Sequence, residues 1–217
     1  MRKIYSLICV AFCLFLAVPQ SKASSICDSV PGQLVANCGF ETGDFTSWTL
    51  AGNDVPGQAG NLYGVEGTDP FDGIAPHSGN NQAYFADLIS NATTLSQSIS
   101  TTAGGEYAVS FYLAQDTDPS TEYSNEFLAS FGGDSLVSMS AMPIEGYTEY
   151  SFIVDATSSS SVLSLTFGND LGEFLVDDVS VTAVPEPPAW TLMLVGLMGA
   201  AFLWKRNEIS RICNVRI

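Results

Sequence analysis

Alternating apolar and polar positions run through the middle of the chain and predict β-strands. Leu95–Ile99, Tyr107–Leu113 and Val162–Phe167 each alternate with a period of two, which is the side-chain repeat of a strand. Clusters of Gly, Asn, Asp and Ser, such as Gly132-Gly133-Asp134, separate these runs as turns do. We therefore predict an all-β fold over residues 24–183, with about eight to ten short strands in one antiparallel β-sandwich of the jelly-roll type.

The N-terminal 23 residues have a different pattern, which is typical of a secretory signal peptide. Arg2 and Lys3 precede an apolar run from Ile4 to Val18, and Ser21-Lys22-Ala23 offers small residues for cleavage. This order of a basic, an apolar and a small-residue region is that of an export signal. Residues 1–23 are therefore expected to leave the protein during export through the Sec translocon.

The C-terminal end carries a second apolar segment, from Trp190 to Trp204, which is followed at once by Lys205 and Arg206. As a helix its fifteen residues span about 22 Å, shorter than a typical hydrocarbon core, so a buried helix competes on length alone. The flanking tryptophans and the bases that follow favour a short transmembrane helix with a cytoplasmic tail, residues 207–217. Everything before Trp190 then lies outside the cytoplasm, which agrees with the export signal.

A proline-rich motif, Val184-Pro185-Glu186-Pro187, stands directly before this segment. The motif, the short apolar helix and the basic cluster together resemble the PEP-CTERM sorting signal of Gram-negative bacteria, over residues 184–206. The resemblance implies processing by an exosortase in organisms that make exopolysaccharide. It also implies export across the inner membrane, an intermediate anchored in the membrane, and delivery to the cell surface or the extracellular matrix. Here the tail is longer than usual in that family and contains Cys213.

The charge of the body is far more negative than the net −16 of the whole chain. All seven bases lie in the two end segments, so residues 24–183 contain 21 acidic residues, one histidine and neither Lys nor Arg. Nucleic-acid binding by the body is excluded, because phosphate recognition needs cationic donors. Ion pairs with Lys or Arg are excluded too, so any buried carboxylate needs hydrogen bonds, a proton or a metal ion.

The start and the end of the body carry a second resemblance. The run from Asn37 to Trp48, which contains Gly39-Phe40-Glu41, is similar to the opening motif of carbohydrate-binding-module-like, galactose-binding-like jelly rolls. The run from Phe174 to Val181, which contains Asp177-Asp178-Val179, is similar to their closing strand. The resemblance implies a glycan-binding sandwich with a structural calcium ion held between the two motifs, by Glu41 and Asp177 or Asp178, with Asp44 as a further candidate.

The alternation along the last strand gives an independent reason to expect an ion there. It predicts that Asp177 shares an apolar face with Leu175, Val179 and Val181, where an ionised carboxylate needs a partner. Calcium, which prefers carboxylate and carbonyl oxygens, is one solution, and solvation by backbone N–H groups is the alternative. The Asp116–Glu122 run also alternates oxygen-bearing side chains, but it lacks the glycine and the final glutamate of a calcium loop and is expected to be a solvated loop.

Two cysteines, Cys27 and Cys38, belong to the exported body, and a pair in an oxidising compartment most simply forms a disulfide. Two free thiols are the alternative, and a zinc site would need further ligands.

Catalytic chemistry has little support in the sequence. A Ser-His-Asp triad would have to use His77, which lies in a turn-like run and is expected to be an exposed loop residue. Aromatic side chains could provide apolar platforms for sugar rings, the candidates being Tyr63, Phe71, Tyr84, Tyr112 and Tyr123. Trp48 is expected in the core. The sequence thus predicts a non-enzymatic surface or matrix protein associated with exopolysaccharide or biofilm and binding glycan. The alternative is a secreted hydrolase acting on polysaccharide.

Overall fold

The computed structural model describes residues 24–52, 62–67, 73–116, 124–170, 172–185, 193–202 and 204. The predicted signal peptide, residues 186–192, 203, 205 and 206 of the predicted sorting signal, and the tail lie outside the described residues. Residues 193–202 are helical. Within the described part of the chain, none of the helices combines the length and the apolar character needed to cross a membrane.

The described body is a sandwich of two five-stranded antiparallel sheets, which confirms the predicted fold class. The first sheet has the order β1-β4-β9-β6-β7, with β1 Thr49–Ala51, β4 Thr93–Ser100, β9 Ser160–Asn169, β6 Asn125–Phe131 and β7 Asp134–Ser140. The second has the order β2-β3-β10-β5-β8, with β2 Tyr63–Glu66, β3 Gln82–Phe85, β10 Phe174–Ala183, β5 Glu106–Gln115 and β8 Glu145–Asp155. Two short 3₁₀ helices, Cys27–Ser29 and Ile89–Asn91, lie outside the sheets.

Aromatic side chains fill the space between the sheets, because alternation along each strand sends every second residue inward. Phe85 and Phe167 stack across the interior with ring centroids 4.0 Å apart, and Phe127 packs against Phe167 at 5.2 Å. Trp48 is buried and stacks on Phe40 at 5.8 Å, which confirms its expected place in the core.

The last strand, β10, departs from simple alternation. A β-bulge shifts its register against β5 between Asp177 and Ser180, and Asp178 has a φ of +49°. Before the bulge Asp177 lies opposite Tyr112, whereas after it Val181 lies opposite the core residue Val109. The predicted shared face of Asp177 with Val179 and Val181 is therefore wrong, because the extra residue of a bulge reverses the facing of the strand residues after it.

Candidate functional site

The opening and closing motifs meet at the β10 bulge. The amide of Val179 donates to the carbonyl of Cys38 at 2.9 Å, and the amide of Cys27 donates to Asp178 Oδ1 at 3.0 Å. A Cβ atom on Gly39 would lie 3.4 Å from Asp177 Oδ1 and only 2.3 Å from Ser25 Cβ. The absence of a side chain at position 39 therefore allows the opening segment to lie directly against Ser25 and β10.

Asp177 is fully buried and accepts two backbone hydrogen bonds. The amide of Ser78 donates to its Oδ2 at 3.0 Å, and the amide of Asp178 donates to its Oδ1 at 2.7 Å. Burial raises the pKa of this carboxyl to about 8, and the charges of Asp178 and Glu41 add to the rise, while the two amides oppose it. A carboxyl in this position either keeps its proton or needs a cation beside it.

Asp178 has a different set of partners, on loop 73–81. Its Oδ2 lies 2.7 Å from His77 Nδ1, and its Oδ1 accepts the hydroxyl of Ser78 at 2.9 Å. Both acidic residues are thus buried, at 0% and 3% exposure, and Ser78 of the covering loop donates to both, through its amide to Asp177 and through its hydroxyl to Asp178.

Glu41 reaches the same region from the opening motif. Its Oε1 accepts the amides of Asn80 and Asn81 at 2.8 and 3.0 Å, so it ties the opening motif to loop 73–81. A Cβ atom on Gly79, where φ is +69°, would lie 2.2 Å from that oxygen. Gly79 is therefore required twice, for its backbone conformation and for the space that Glu41 occupies.

The other acidic candidates lie apart from this meeting point. Asp44 is exposed, and its Oδ1 accepts the Thr42 hydroxyl at 2.7 Å and the Thr46 amide at 3.0 Å, as in a local turn. Asp116 accepts the amide of Glu173, and most of the loop that follows it lies outside the described residues.

Among the described residues, Glu41, Asp177 and Asp178 do not form a group whose ligand atoms all lie within 4.8 Å of one another. The group that meets this condition is Cys27, Asp28 and Cys38. In that group the two sulfur atoms are joined in a disulfide, 1.99 Å apart with Cα atoms separated by 6.1 Å, so they are not thiolate ligands. Of the three predicted calcium ligands, Glu41 lies close enough for its charge to raise the pKa of Asp177, whereas Asp178 is hydrogen-bonded to His77 and Ser78.

His77 is not the exposed loop residue that the sequence predicts. Its side chain is only 23% exposed, its ring stacks on Tyr112 with centroids 3.5 Å apart, and Tyr147 meets it edge-on at 5.6 Å. Sequence reasoning missed this cluster, although a single histidine in a body with 21 acidic residues was a signal for an interaction with a carboxylate. The Ser78 hydroxyl donates to Asp178 and accepts the Ile26 amide at 2.8 Å. Its hydrogen bonds therefore hold loop 73–81 against β10 and the N-terminal segment.

A groove of about 220 Å³ runs along the outer face of the second sheet beside this cluster. Hydroxyl side chains of β5 and β10 line it together with Tyr112, Glu149 and the N-terminal segment; the residues are Ile26, Cys27, Val30, Ala108, Ser110, Tyr112, Glu149, Asp178, Ser180 and Thr182. Burial, and then the charge of Glu149, raise the pKa of the Tyr112 phenol, so it remains a neutral donor. An aromatic ring, hydroxyls and a carboxylate are the groups that hold a sugar.

A second, larger cavity of about 470 Å³ has a lining without aromatic residues: Ser24, Asp28, Asn37, Glu41, Thr42, Thr46 and Ser47. The other aromatic candidates for sugar contact lie elsewhere. Tyr63 packs against Phe45 and Phe85 in the interior, and Phe71 and Tyr123 lie outside the described residues. Tyr112 thus both lines a groove and lies beside polar groups.

Of the comparisons with known proteins, the one with solved structures identifies the fold of the body. No protein-family model matches the chain, and no curated protein matches it. Among solved structures, TmCBM61 in complex with β-1,4-galactotriose is 18% identical with a TM-score of 0.52, and the match covers 70% of this chain and 99% of that one. This likeness shows that the body has the β-sandwich fold of a carbohydrate-binding module.

Two further structures have lower scores. One is the CBM22-1-GH10 part of xylanase 10B from Clostridium thermocellum with xylohexaose, 15% identical with a TM-score of 0.46, covering 72% of this chain and 29% of that one. The other is the CBM22-1 xylan-binding domain of Xyn10C from Paenibacillus barcinonensis, 14% identical with a TM-score of 0.46, covering 71% and 96%.

Proposed function

We propose that the protein is an exported, non-enzymatic surface or matrix component whose β-sandwich binds glycan in the groove beside Tyr112. The observation that carries this is the groove itself, where Tyr112, Glu149 and the hydroxyls of β5 and β10 converge. The fold shared with TmCBM61, which was solved with β-1,4-galactotriose, supports the same conclusion. The groove volume of about 220 Å³ is below the roughly 300–1,000 Å³ of drug-sized pockets, which favours one sugar unit of a chain.

The test is binding of soluble oligosaccharides to the purified full-length chain, first on a glycan array and then by calorimetry with the best binder. Tyr112→Ala should lower the affinity at least about tenfold, since aromatic anchors dominate such contacts. Glu149→Gln, at an exposed position, should lower it several-fold without disturbing the core. Leu128→Ala, an exposed residue on the other sheet, is the matched control and should leave affinity unchanged.

Two results would contradict the proposal. Equal affinity of wild type and Tyr112→Ala would remove the groove as the site. Release of reducing sugar by the purified chain, in a hydrolysis screen of the polysaccharides it binds, would replace the binding role with an enzymatic one.

We also propose that a calcium ion rests between Glu41 and Asp177. What supports it is a buried carboxylate at Asp177 whose pKa is raised by burial and by neighbouring acids. Backbone amides of the covering loop already orient both carboxylates, which reduces the cost of ordering them around an ion.

We further propose that the protein is delivered to the cell surface by a sorting step at its C-terminal end. The motif Val184-Pro185-Glu186-Pro187 would be recognised by an exosortase, and it starts directly after β10 ends at Ala183. The amide of Val184 still donates to the carbonyl of Glu106 at 2.9 Å, so the motif begins at the edge of the folded body. This is where a processing enzyme could act without unfolding the sandwich.

Mass spectrometry of the mature protein from its native host tests the sorting step. We expect a chain that has lost the residues after the motif, and a Glu186→Ala variant that keeps them. A wild-type protein with its Cys213 tail intact would refute processing at this motif.

A further inference from the structure

The groove beside Tyr112 has carboxylates at one end and uncharged side chains at the other. In the register of the second sheet Tyr112 lies opposite Glu149 of β8. Asp178 follows the residue of β10 that lies opposite Tyr112 on its other side, and all three residues line the groove. Ala108 and Thr182, which pair with each other further along β5 and β10, line the other end. The acidic side chains of the lining therefore lie at the same end as the aromatic ring.

The charges at this end of the groove act on the Tyr112 phenol. Burial raises the pKa of the phenol, and the charge of Glu149, the hydrogen bond between the two side chains and the charge of Asp178 raise it further. A field that opposes a negative charge at this position favours a positive one. Residues 24–183 contain neither Lys nor Arg, and the single histidine, His77, contacts Asp178 at 2.7 Å. The body therefore has no Lys or Arg with which Glu149 could pair.

The groups around the Tyr112 ring match a ligand that carries an ammonium group. His77 covers one face of the ring, with centroids 3.5 Å apart, so a ligand meets the other face or the edge. Glu149 is exposed, and its carboxylate can therefore accept hydrogen bonds from that ligand. An ammonium group donates three hydrogen bonds and accepts none, its bonds to a carboxylate are about twice as strong as neutral ones, and it is attracted to an aromatic face.

We propose that the groove selects amino sugars with a free, protonated amine, whose ammonium group lies between Glu149 and Tyr112. The hydroxyls of such a sugar then meet the hydroxyls of Ser110 and Ser180, which line the groove beside Tyr112. The inference rests on the proposed glycan-binding function and names the class of sugar. The same carboxylates disfavour uronic acids, because like charges in contact raise the free energy of binding. An N-acetylated amino sugar lacks the charge and loses the contact that selects the amine.

The experiment compares two tetrasaccharides by calorimetry with the purified full-length chain. One is the tetramer of β-1,4-linked glucosamine and the other is the tetramer of β-1,4-linked N-acetylglucosamine, so length and linkage are the same. Both are measured at pH 6, where the free amines are protonated, and in about 0.15 M sodium chloride, where charges more than roughly 8 Å away are largely screened. We expect the glucosamine tetramer to bind at least about tenfold more tightly.

Two variants that change the net charge equally separate the groove from the rest of the surface. Glu149→Gln removes the carboxylate at the groove and keeps the size of the side chain, so it should reduce the preference for the glucosamine tetramer to within about threefold. Glu126→Gln makes the same change at an exposed position of β6, on the other sheet, and should keep the wild-type preference. Tyr112→Ala should weaken the binding of both tetramers.

Four outcomes would overturn the inference. If the acetylated tetramer binds as tightly as the glucosamine tetramer and Tyr112→Ala weakens both, the groove remains a glycan site without selecting amines. If wild type binds neither tetramer, the selection fails, and the glycan array then shows whether the groove binds another sugar or none. An equal loss of preference in Glu149→Gln and Glu126→Gln would assign it to the net charge of the body. Trilysine that binds as tightly, with the same loss in Glu149→Gln, would assign the site to a basic peptide.

Discussion

At the scale of single residues, the most consequential side chain is Asp177. The body contains no Lys or Arg that could pair with a buried carboxylate. The two amides that donate to Asp177 do not offset its burial, so the pKa of its carboxyl rises to about 8. The sequence predicted that such an acid would need hydrogen bonds, a proton or a metal ion. The structure shows two of those hydrogen bonds, and a pKa of about 8 means that the carboxyl keeps its proton below that pH.

This shift makes the metal-free protein less stable as the pH rises. The folded carboxyl keeps its proton up to about pH 8, while the unfolded one loses it near pH 4. The folded state therefore binds more protons between these values, so its stability falls by up to about 1.4 kcal/mol per pH unit across that window. Thermal melts in chelator from pH 5 to pH 8 should show the decline, and Asp177→Asn should flatten it.

Calcium should oppose that decline, because an ion beside Glu41 and Asp177 stabilises the ionised form. We expect the rise in melting temperature on adding calcium to be larger at pH 8 than at pH 5, and to be absent in Asp177→Asn. Asp155→Asn, an exposed acid at the end of β8, should keep the wild-type response. Melting curves that are the same in excess calcium and in chelator at pH 8 would exclude the structural ion.

At the scale of elements, alternation predicted the strands well and the bulge not at all. The predicted runs at Leu95–Ile99, Tyr107–Leu113 and Val162–Phe167 lie inside β4, β5 and β9, because a strand with one core face must alternate. The bulge at Asp178 has no glycine or proline to mark it, and its positive φ depends on contacts with loop 73–81 and Cys27. Those contacts join positions about 100 and 151 residues apart in the chain, so no local pattern contains them.

The candidate site could likewise be predicted only where a local sequence motif marks its residues. Glu41 and Asp177 were named from the resemblance of their motifs, and the structure brings those motifs together. The stacking of His77 on Tyr112 and the groove beside it were missed, since both need the register of β5 against β10.

At the scale of the whole molecule, charge is divided between the two sheets. The strands of the second sheet carry seven acidic residues, including the buried pair, whereas those of the first carry Glu126 and Asp134. A body with 21 acidic residues and no Lys or Arg repels other polyanions at a distance set by the ionic strength. Contact with an acidic exopolysaccharide therefore requires cations that bridge carboxylates of both partners, which divalent ions with oxygen ligands do best.

This predicts a divalent-ion requirement that depends on the glycan. The full-length chain on a biosensor should bind alginate, a polyuronate, at least about tenfold more tightly in millimolar calcium than in sodium chloride of equal ionic strength with chelator. Binding of a neutral soluble oligosaccharide should depend much less on the cation, since no like charges need bridging. The contradicting result would be alginate binding in chelator that becomes stronger as the salt concentration is lowered. Such a salt dependence indicates attraction between opposite charges, which salt screens. A body without Lys or Arg should instead be repelled more strongly by alginate at low salt.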